Sequence, residues 1–312
     1  MKGVLNPWYA QSTIQTMSAP LPADFAVPVQ RFTIYPFERN VLRCKKGTIV
    51  TIEADSLTFM NGIPIGGKVE VEIKEIVSCR DLLFENLTSY TEKHLLDNVY
   101  TIYINASSDD EYVDSQSNYP IKIELPELVN KKWENIKVYR GGKLDQQRRP
   151  WQLDTKSKIV YVTEKTEKPH SGFGFFSQTK KQLALPADQQ VLDYLQTSQL
   201  GWINCAKPFP SEKMKNLEAS LYITEATNAD VYIMITLEKH GSTLPVFRSG
   251  NEFLAPYLPV GEDINIVGIG KMNDTYYFAG KTATIVSGEQ KEELDFKSSS
   301  IAAIRKRLRA LG

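Results

Sequence analysis

The sequence lacks the signatures of most small-site chemistry. It has three cysteines, Cys44, Cys79 and Cys205, and none has a second cysteine two or four residues away, which excludes zinc-ribbon spacing. An odd, low count is no disulfide framework. Three buried thiols packed as small hydrophobes are expected, with one bridge as the alternative. The histidines, His94, His170 and His240, are scattered. None has a His or acidic partner at the i, i+4 spacing of a helical metal site. No catalytic residue, metal ligand or cofactor is assigned. Charge of either sign is not in excess: 37 Lys and Arg balance 37 Asp and Glu. A neutral chain has no general attraction to nucleic acid or anionic lipid, so no nucleic-acid partner is expected. No stretch approaches the ~20 apolar residues of a membrane span, so no integral membrane insertion is expected either. The opening MKGVLNPWYAQSTIQ holds no apolar run of signal-peptide length. A complete chain would then be cytoplasmic or part of a cytoplasm-assembled particle. A chain that has lost a leader would sit in the periplasm or at the cell surface.

Nucleotide motifs are also missing. GIGKM at 268–272 lacks the upstream Gly and the following Ser/Thr of a phosphate-binding loop, and GFGFF at 172–176 lacks the third Gly. His170-Ser171 has the residue types of an autoproteolytic turn, but it lies in a polar linker and reads as a chance pair. The acidic run SSDDEYVD at 107–114 offers oxygen ligands for calcium. Its spacing is not that of an EF-hand, and a solvated loop between strands is the plainer reading.

What is present is a β pattern with enough apolar material, 42% of the 312 residues, for real cores. At roughly 100–200 residues per domain the length predicts two or three domains. Residues 1–30 read as an extended Pro-rich arm, with Pro20, Pro22 and Pro28, and with Trp8, Tyr9 and Phe25 apolar enough to dock. Residues 31–165 read as a β-sandwich domain. KVEVEIKEIV is its clearest strand, with Val69, Val71, Ile73 and Ile76 facing one way and Lys68, Glu70, Glu72 and Lys74 facing water. Asn61-Gly62 marks the turn before it. VYTIYINA, IKIEL, IKVYR and KIVYVT supply further strands. Residues 166–200 read as a connecting segment. It ends in a short helix, PADQQVLDYLQTSQL, with Val191, Leu192 and Leu195 inward. Residues 201–296 carry ASLYIT, DVYIMITL, TLPVFRS, INIVGIG, TYYFAG and TATIV, six short strands of an immunoglobulin-like sandwich. Residues 297–312 read as a C-terminal amphipathic helix behind a serine cap. Ile301, Ile304, Leu308 and Leu311 form its stripe, and Arg305, Lys306, Arg307 and Arg309 take the other faces. The fold class is therefore mostly β: two β-sandwich domains in tandem between an arm and a helix.

Two stretches resemble a known family. GTIVTIEADSLTFMNGIPIGGKVEVEIKEIVSCRDLLFENLTSY resembles a β-sandwich domain of Bacteroidetes proteins, related to the sandwich of ankyrins and the netrin receptor. Gly47-Thr48, Ala54, Asn61-Gly62, Pro64, Gly66, the KVEVEIKE strand, Leu82, Leu83 and Asn86 carry that likeness. LGWINCAKPF at 200–209 is similar to the "GWINCDRF" phrase of the second domain in such proteins, with Ala206 in place of the acid. Leu258-Pro259-Val260-Gly261 resembles the approach to that domain's last strands. The resemblance implies a noncatalytic β scaffold and supplies no catalytic residues.

The expected function is a noncatalytic structural or adaptor subunit of a bacterial multi-protein assembly of the secretion, motility or contractile injection type. Its partners are other protein subunits, met through Trp8 and Tyr9 of the arm and Ile301, Ile304, Leu308, Arg305 and Arg309 of the helix. For the helix, packing on its own β domain is the competing reading, because a lone helix of ~14 residues is marginal in water. A cell-envelope protein binding peptidoglycan or surface glycans through exposed aromatics is the alternative function. A hydrolase needs one of the three thiols within hydrogen-bond reach of a histidine.

Overall fold

The computed structural model describes residues 23–92, 94–109, 111–116, 120–126, 135–141, 150–163, 190–209, 219–225, 230–249 and 252–310. The fold is mostly β, as expected, and its sheets come in two pairs.

In the first pair, one sheet runs in the order β1 (Gln30–Ile34), β5 (Val69–Ile76), β6 (Leu96–Ser108), β13 (Gly201–Pro208), β9 (Lys137–Arg140) and β10 (Gln152–Leu153). β7 (Glu111–Ser115) joins it through β6 and carries β4 (Leu57–Phe59). The facing sheet runs β11 (Lys158–Thr163), β12 (Gln190–Thr197), β8 (Ile121–Glu124), β3 (Ile49–Ile52) and β2 (Asn40–Arg43). Val50, Ile52, Val69, Val71, Ile73, Ile102, Ile104, Ile121 and Ile123 fill the space between them. Alternate residues of each strand meet there because strand side chains alternate faces.

In the second pair, one sheet runs β17 (Phe247–Ser249), β18 (Glu252–Leu258), β14 (Ala219–Glu225) and β21 (Glu289–Leu294). The other runs β16 (Ser242–Pro245), β15 (Asp230–Leu237), β19 (Asp263–Met272), β20 (Thr275–Thr284) and β22 (Lys297–Ser298). Leu221, Ile223, Ile233, Ile235, Phe253, Ile264 and Ile266 form its core.

Several expectations need correction. PADQQVLDYLQTSQL is not helical where it is described. Gln190–Thr197 is a strand between β11 and β8, and Leu195 faces the first core. A run of three apolar residues fits either period, and two waiting strand edges decided it. GWINC does not open the second sandwich. β13 lies between β6 and β9 in the first sheet. Residues 202–206 are buried without alternation, which a strand covered on both faces requires. TYYFAG and TATIV form one strand, β20, rather than two.

β5 keeps its period-two alternation to its end, and it is the expected face of Ile76 that is corrected. Val69, Val71 and Ile73 face the first core as expected. Ile76, three residues after Ile73, lies with Lys74 on the opposite face, and Lys74 and Glu75, charged residues, are both buried. That opposite face is buried because a third apolar cluster packs against it.

Candidate functional site: a shared junction and an exposed apolar end

The third cluster lies between the two pairs of sheets. From the first pair it takes Ile76, Leu96, Tyr103, Tyr139 and Trp202, and from the second Tyr232, Met234, Val267, Ile269, Tyr276 and Phe278. Between them sits α1 (Cys79–Phe84), capped by the Ser78 hydroxyl, which accepts the Asp81 N–H at 3.2 Å. Leu82, Leu83 and Phe84 of α1 enter the same cluster.

Polar groups cross the junction in matched pairs. The Ser89 N–H donates to the Thr243 carbonyl at 2.8 Å, and the Thr243 N–H donates to the Ser89 hydroxyl at 2.9 Å. The Tyr232 hydroxyl donates to the Leu83 carbonyl at 3.0 Å, and the Ser242 hydroxyl donates to the Leu96 carbonyl. Gly241 comes so close that an added Cβ would lie 2.7 Å from the Asn98 carbonyl oxygen, and its φ is +56°. Glycine is required there on both counts. His240 is buried beside it. Its Nδ1 is 3.6 Å from Asp97 of the first pair, its Nε2 is 3.3 Å from Glu262 of the second, and its ring packs on Phe209.

Both chain ends that are described also meet here. Phe25 and Val27 are buried in the junction cluster, and the Val27 N–H donates to Glu85 at 2.7 Å. The second oxygen of Glu85 holds the Lys74 ammonium. Glu75 accepts the N–H groups of Lys46 and Thr48 and the Gln30 amide. These bonds satisfy two buried carboxylates and dock residues 25–30 onto the body. The C-terminal helix α2 (Ile301–Ala310) starts at Ser300, whose hydroxyl accepts the Ala303 N–H at 3.2 Å. The Arg305 guanidinium donates to the Asp24 carbonyl and lies 6.0 and 5.8 Å from the Phe25 and Phe84 ring centroids.

The residues singled out from sequence are now placed. Ile304 and Leu308 are buried in the junction cluster and Ile301 is half-buried against it. The stripe assigned to a partner is thus occupied by the chain's own core, as a helix too short to stand alone in water requires. Arg305 is half-buried and Arg309 exposed. Trp8, Tyr9, Leu311, His170 and Ser171 lie outside the described residues. Of the acidic run, Asp109 turns the β6–β7 hairpin at φ +51°.

The three thiols are free and buried. Burial, aided by nearby Glu75, pushes the Cys44 thiol up to about 12, and burial alone takes Cys205 to about 12. Burial and Glu238 push Cys79 higher still. Cys79 Sγ faces the carbonyls of Leu237 and Ser242, whereas the His240 ring turns to Asp97, Glu262 and Phe209. Among the described residues no helix is long and apolar enough to cross a membrane.

The other feature is the opposite end of the first pair. There the loops that leave β1, β3, β4 and β6 gather, as the pairings of Ile34 with Val69, Asn40 with Ile52, and Glu70 with Ser107 show. Tyr35, Phe37, Val41, Met60, Ile63 and Tyr112 are all exposed on this end, Met60 by 69%. The Tyr35 and Phe37 rings lie 5.5 Å apart, and the Asp55 N–H donates to the Pro36 carbonyl between them at 2.7 Å, tying two loops together. Asn61-Gly62 makes its turn here, with Gly62 at φ +81° and the Ile63 N–H on the Asn61 side chain at 3.1 Å. The turn was legible in the sequence, but the exposure of its neighbours was not.

No protein-family model, no curated protein and no solved structure matches the chain.

Proposed function

We propose that the protein is a noncatalytic structural or adaptor subunit of a bacterial multi-protein assembly, of the secretion, motility or contractile injection type. The observation that carries this reading is the exposed apolar end of the first pair of sheets. Six large apolar side chains on the loops and strand ends of one end are more than scattered surface hydrophobics, and such concentrations mark protein contacts. The described thiols and His240 support the noncatalytic part: the thiols are buried and protonated, and the imidazole is engaged in the junction. The likeness of GTIVTIEAD…KVEVEIKE and GWINC to a Bacteroidetes scaffold family points the same way.

The docking element is therefore the loop end and not the stripe of α2. The test is co-purification of the tagged chain from its native cell, with and without Phe37→Glu and Ile63→Glu. Partners held in fixed stoichiometry by the wild-type chain should be lost from the double variant while its melting temperature stays unchanged. Retention of every partner by the double variant contradicts the assignment. The Tyr35–Phe37 pair also favours a second reading, an aromatic platform for glycans in the cell envelope. Binding of peptidoglycan fragments that Phe37→Ala abolishes would select it.

A further inference from the structure

A groove of about 180 Å³ runs between residues 25–28, α1 and α2. Its lining divides into two kinds of side chain. Phe25, Ala26, Val27, Pro28 and Phe84 are apolar; Lys46, Arg80, Arg305 and Arg309 are cationic, with Asp81 the one acid. That acid is already neutralised. Its carboxylate holds the Lys46 ammonium at 2.8 Å and accepts the Val77 N–H at 3.1 Å. Arg80 and Arg309 make no ion pair among the described residues, although Arg80 shares the field of Glu238. Arg305 gives one N–H group to the Asp24 carbonyl, and a guanidinium has five N–H donors. The helix behind the groove, Ile301–Ala310, has four cations and no acid, on a chain whose net charge is zero. Among the described residues positive charge is thus in excess at this place. Residues 1–22 contain no Asp or Glu, so the preceding segment does not supply the missing carboxylates.

We infer that this groove binds an acidic peptide segment of a partner protein, its carboxylates on Arg80, Arg305 and Arg309 and its apolar side chains over Ala26 and Pro28. Paired carboxylates fit the guanidinium fork in two parallel hydrogen bonds. The open apolar surface of Ala26 and Pro28 beside the cations distinguishes a peptide from an inorganic anion, which would not cover it. Closeness to both chain ends makes the groove a second contact, separate from the exposed loop end.

The test is fluorescence anisotropy of the full chain with a fluorescein-labelled octapeptide of alternating Glu and Leu, beside its Gln and Leu counterpart. The Glu peptide should bind at least about tenfold more tightly, and added salt should weaken it. Arg80→Glu with Arg309→Glu should cost about tenfold or more, whereas Arg39→Glu, at the far end, should cost nothing. Arg309→Gln, at an exposed position that no packing depends on, gives a smaller loss in the same direction. Equal binding of the two peptides, or undiminished binding by the variants, overturns the inference. So does full displacement of the Glu peptide by inorganic phosphate at equal concentration, or variant-sensitive binding to phosphatidylglycerol vesicles without peptide binding. Phe37→Glu with Ile63→Glu should leave peptide binding intact, so failure here and failure of the proposed function are read separately.

Discussion

Lys74 and Glu85 form an ion pair 2.7 Å long that is closed off from water, with 8% and 2% of their side chains exposed. A buried pair of this kind adds little over a well-packed apolar pair, but loss of one partner strands a charge. Here Glu85 also accepts the Val27 N–H, so it ties the N-terminal segment to β5 and α1.

Replacing Glu85 with Ala should therefore cost about 3–5 kcal/mol, because it leaves the Lys74 ammonium buried and unpaired. Lys74→Met with Glu85→Leu should recover most of that loss. The remainder, about 1–3 kcal/mol, belongs to the unpaired Val27 N–H. Urea unfolding of the two variants beside wild type measures both numbers. Equal stability of the single and double variants would contradict the buried pairing.

The packing of α2 makes a second prediction. Leu308 and Ile304 are buried in the junction, so Leu308→Ala should destabilise the chain by about 2–5 kcal/mol. If the helix served only to bind a partner, the substitution would leave the melting temperature of the isolated chain unchanged. Thermal denaturation by circular dichroism separates the two outcomes.

How much of this was legible beforehand depends on the range of the cause. Val69, Val71 and Ile73 declared β5 because period-two alternation is a local property. The cap at Ser300 and the turn at Asn61-Gly62 were legible for the same reason. β21, with Glu289, Glu292 and Glu293, was missed because an edge strand with a wet face needs few apolar residues. β18 was missed because Pro256 interrupts its run. The junction was invisible: Phe25, Trp202, Tyr232 and Leu308 are apolar residues far apart in sequence, and nothing local marks them as neighbours. Lys74 was assigned to water for want of Glu85, which only the fold brings to it. Nothing local marked Tyr35, Phe37, Met60 and Ile63 as exposed together, and only the fold shows them uncovered on one end.

The thiols should be silent. With Cys44 and Cys205 pushed up to about 12 by burial, and Cys79 raised further, about one thiol in ten thousand is ionised at pH 8. Ellman's reagent should label none of them in the native chain over an hour. It should label all three after denaturation. Rapid labelling of a native thiol would reopen the hydrolase reading.

Glu238 makes a prediction in pH. Glu238 keeps an exposed side chain, but partial desolvation by its neighbours raises its carboxyl above the usual range, opposed by the hydrogen bonds from Thr236 and Cys79 and by Arg80. A carboxyl that binds its proton more tightly when folded stabilises the fold below its unfolded pKa. That contribution is lost as pH rises through the folded value. Glu238→Gln removes the dependence, so the variant should gain on wild type as pH rises above the usual carboxylate range. Parallel stability profiles above that range would contradict the assignment.

The central claim is that the exposed loop end of the first pair is covered in the cell by other protein subunits. Sizing of the chain from its native cell at endogenous level, with mass spectrometry of the same fractions, tests it most directly. The account predicts elution within a large particle at fixed stoichiometry, and release of the chain from that particle by Phe37→Glu with Ile63→Glu. Elution of the wild-type chain as a bare monomer, with no companion protein in its fractions, would contradict it.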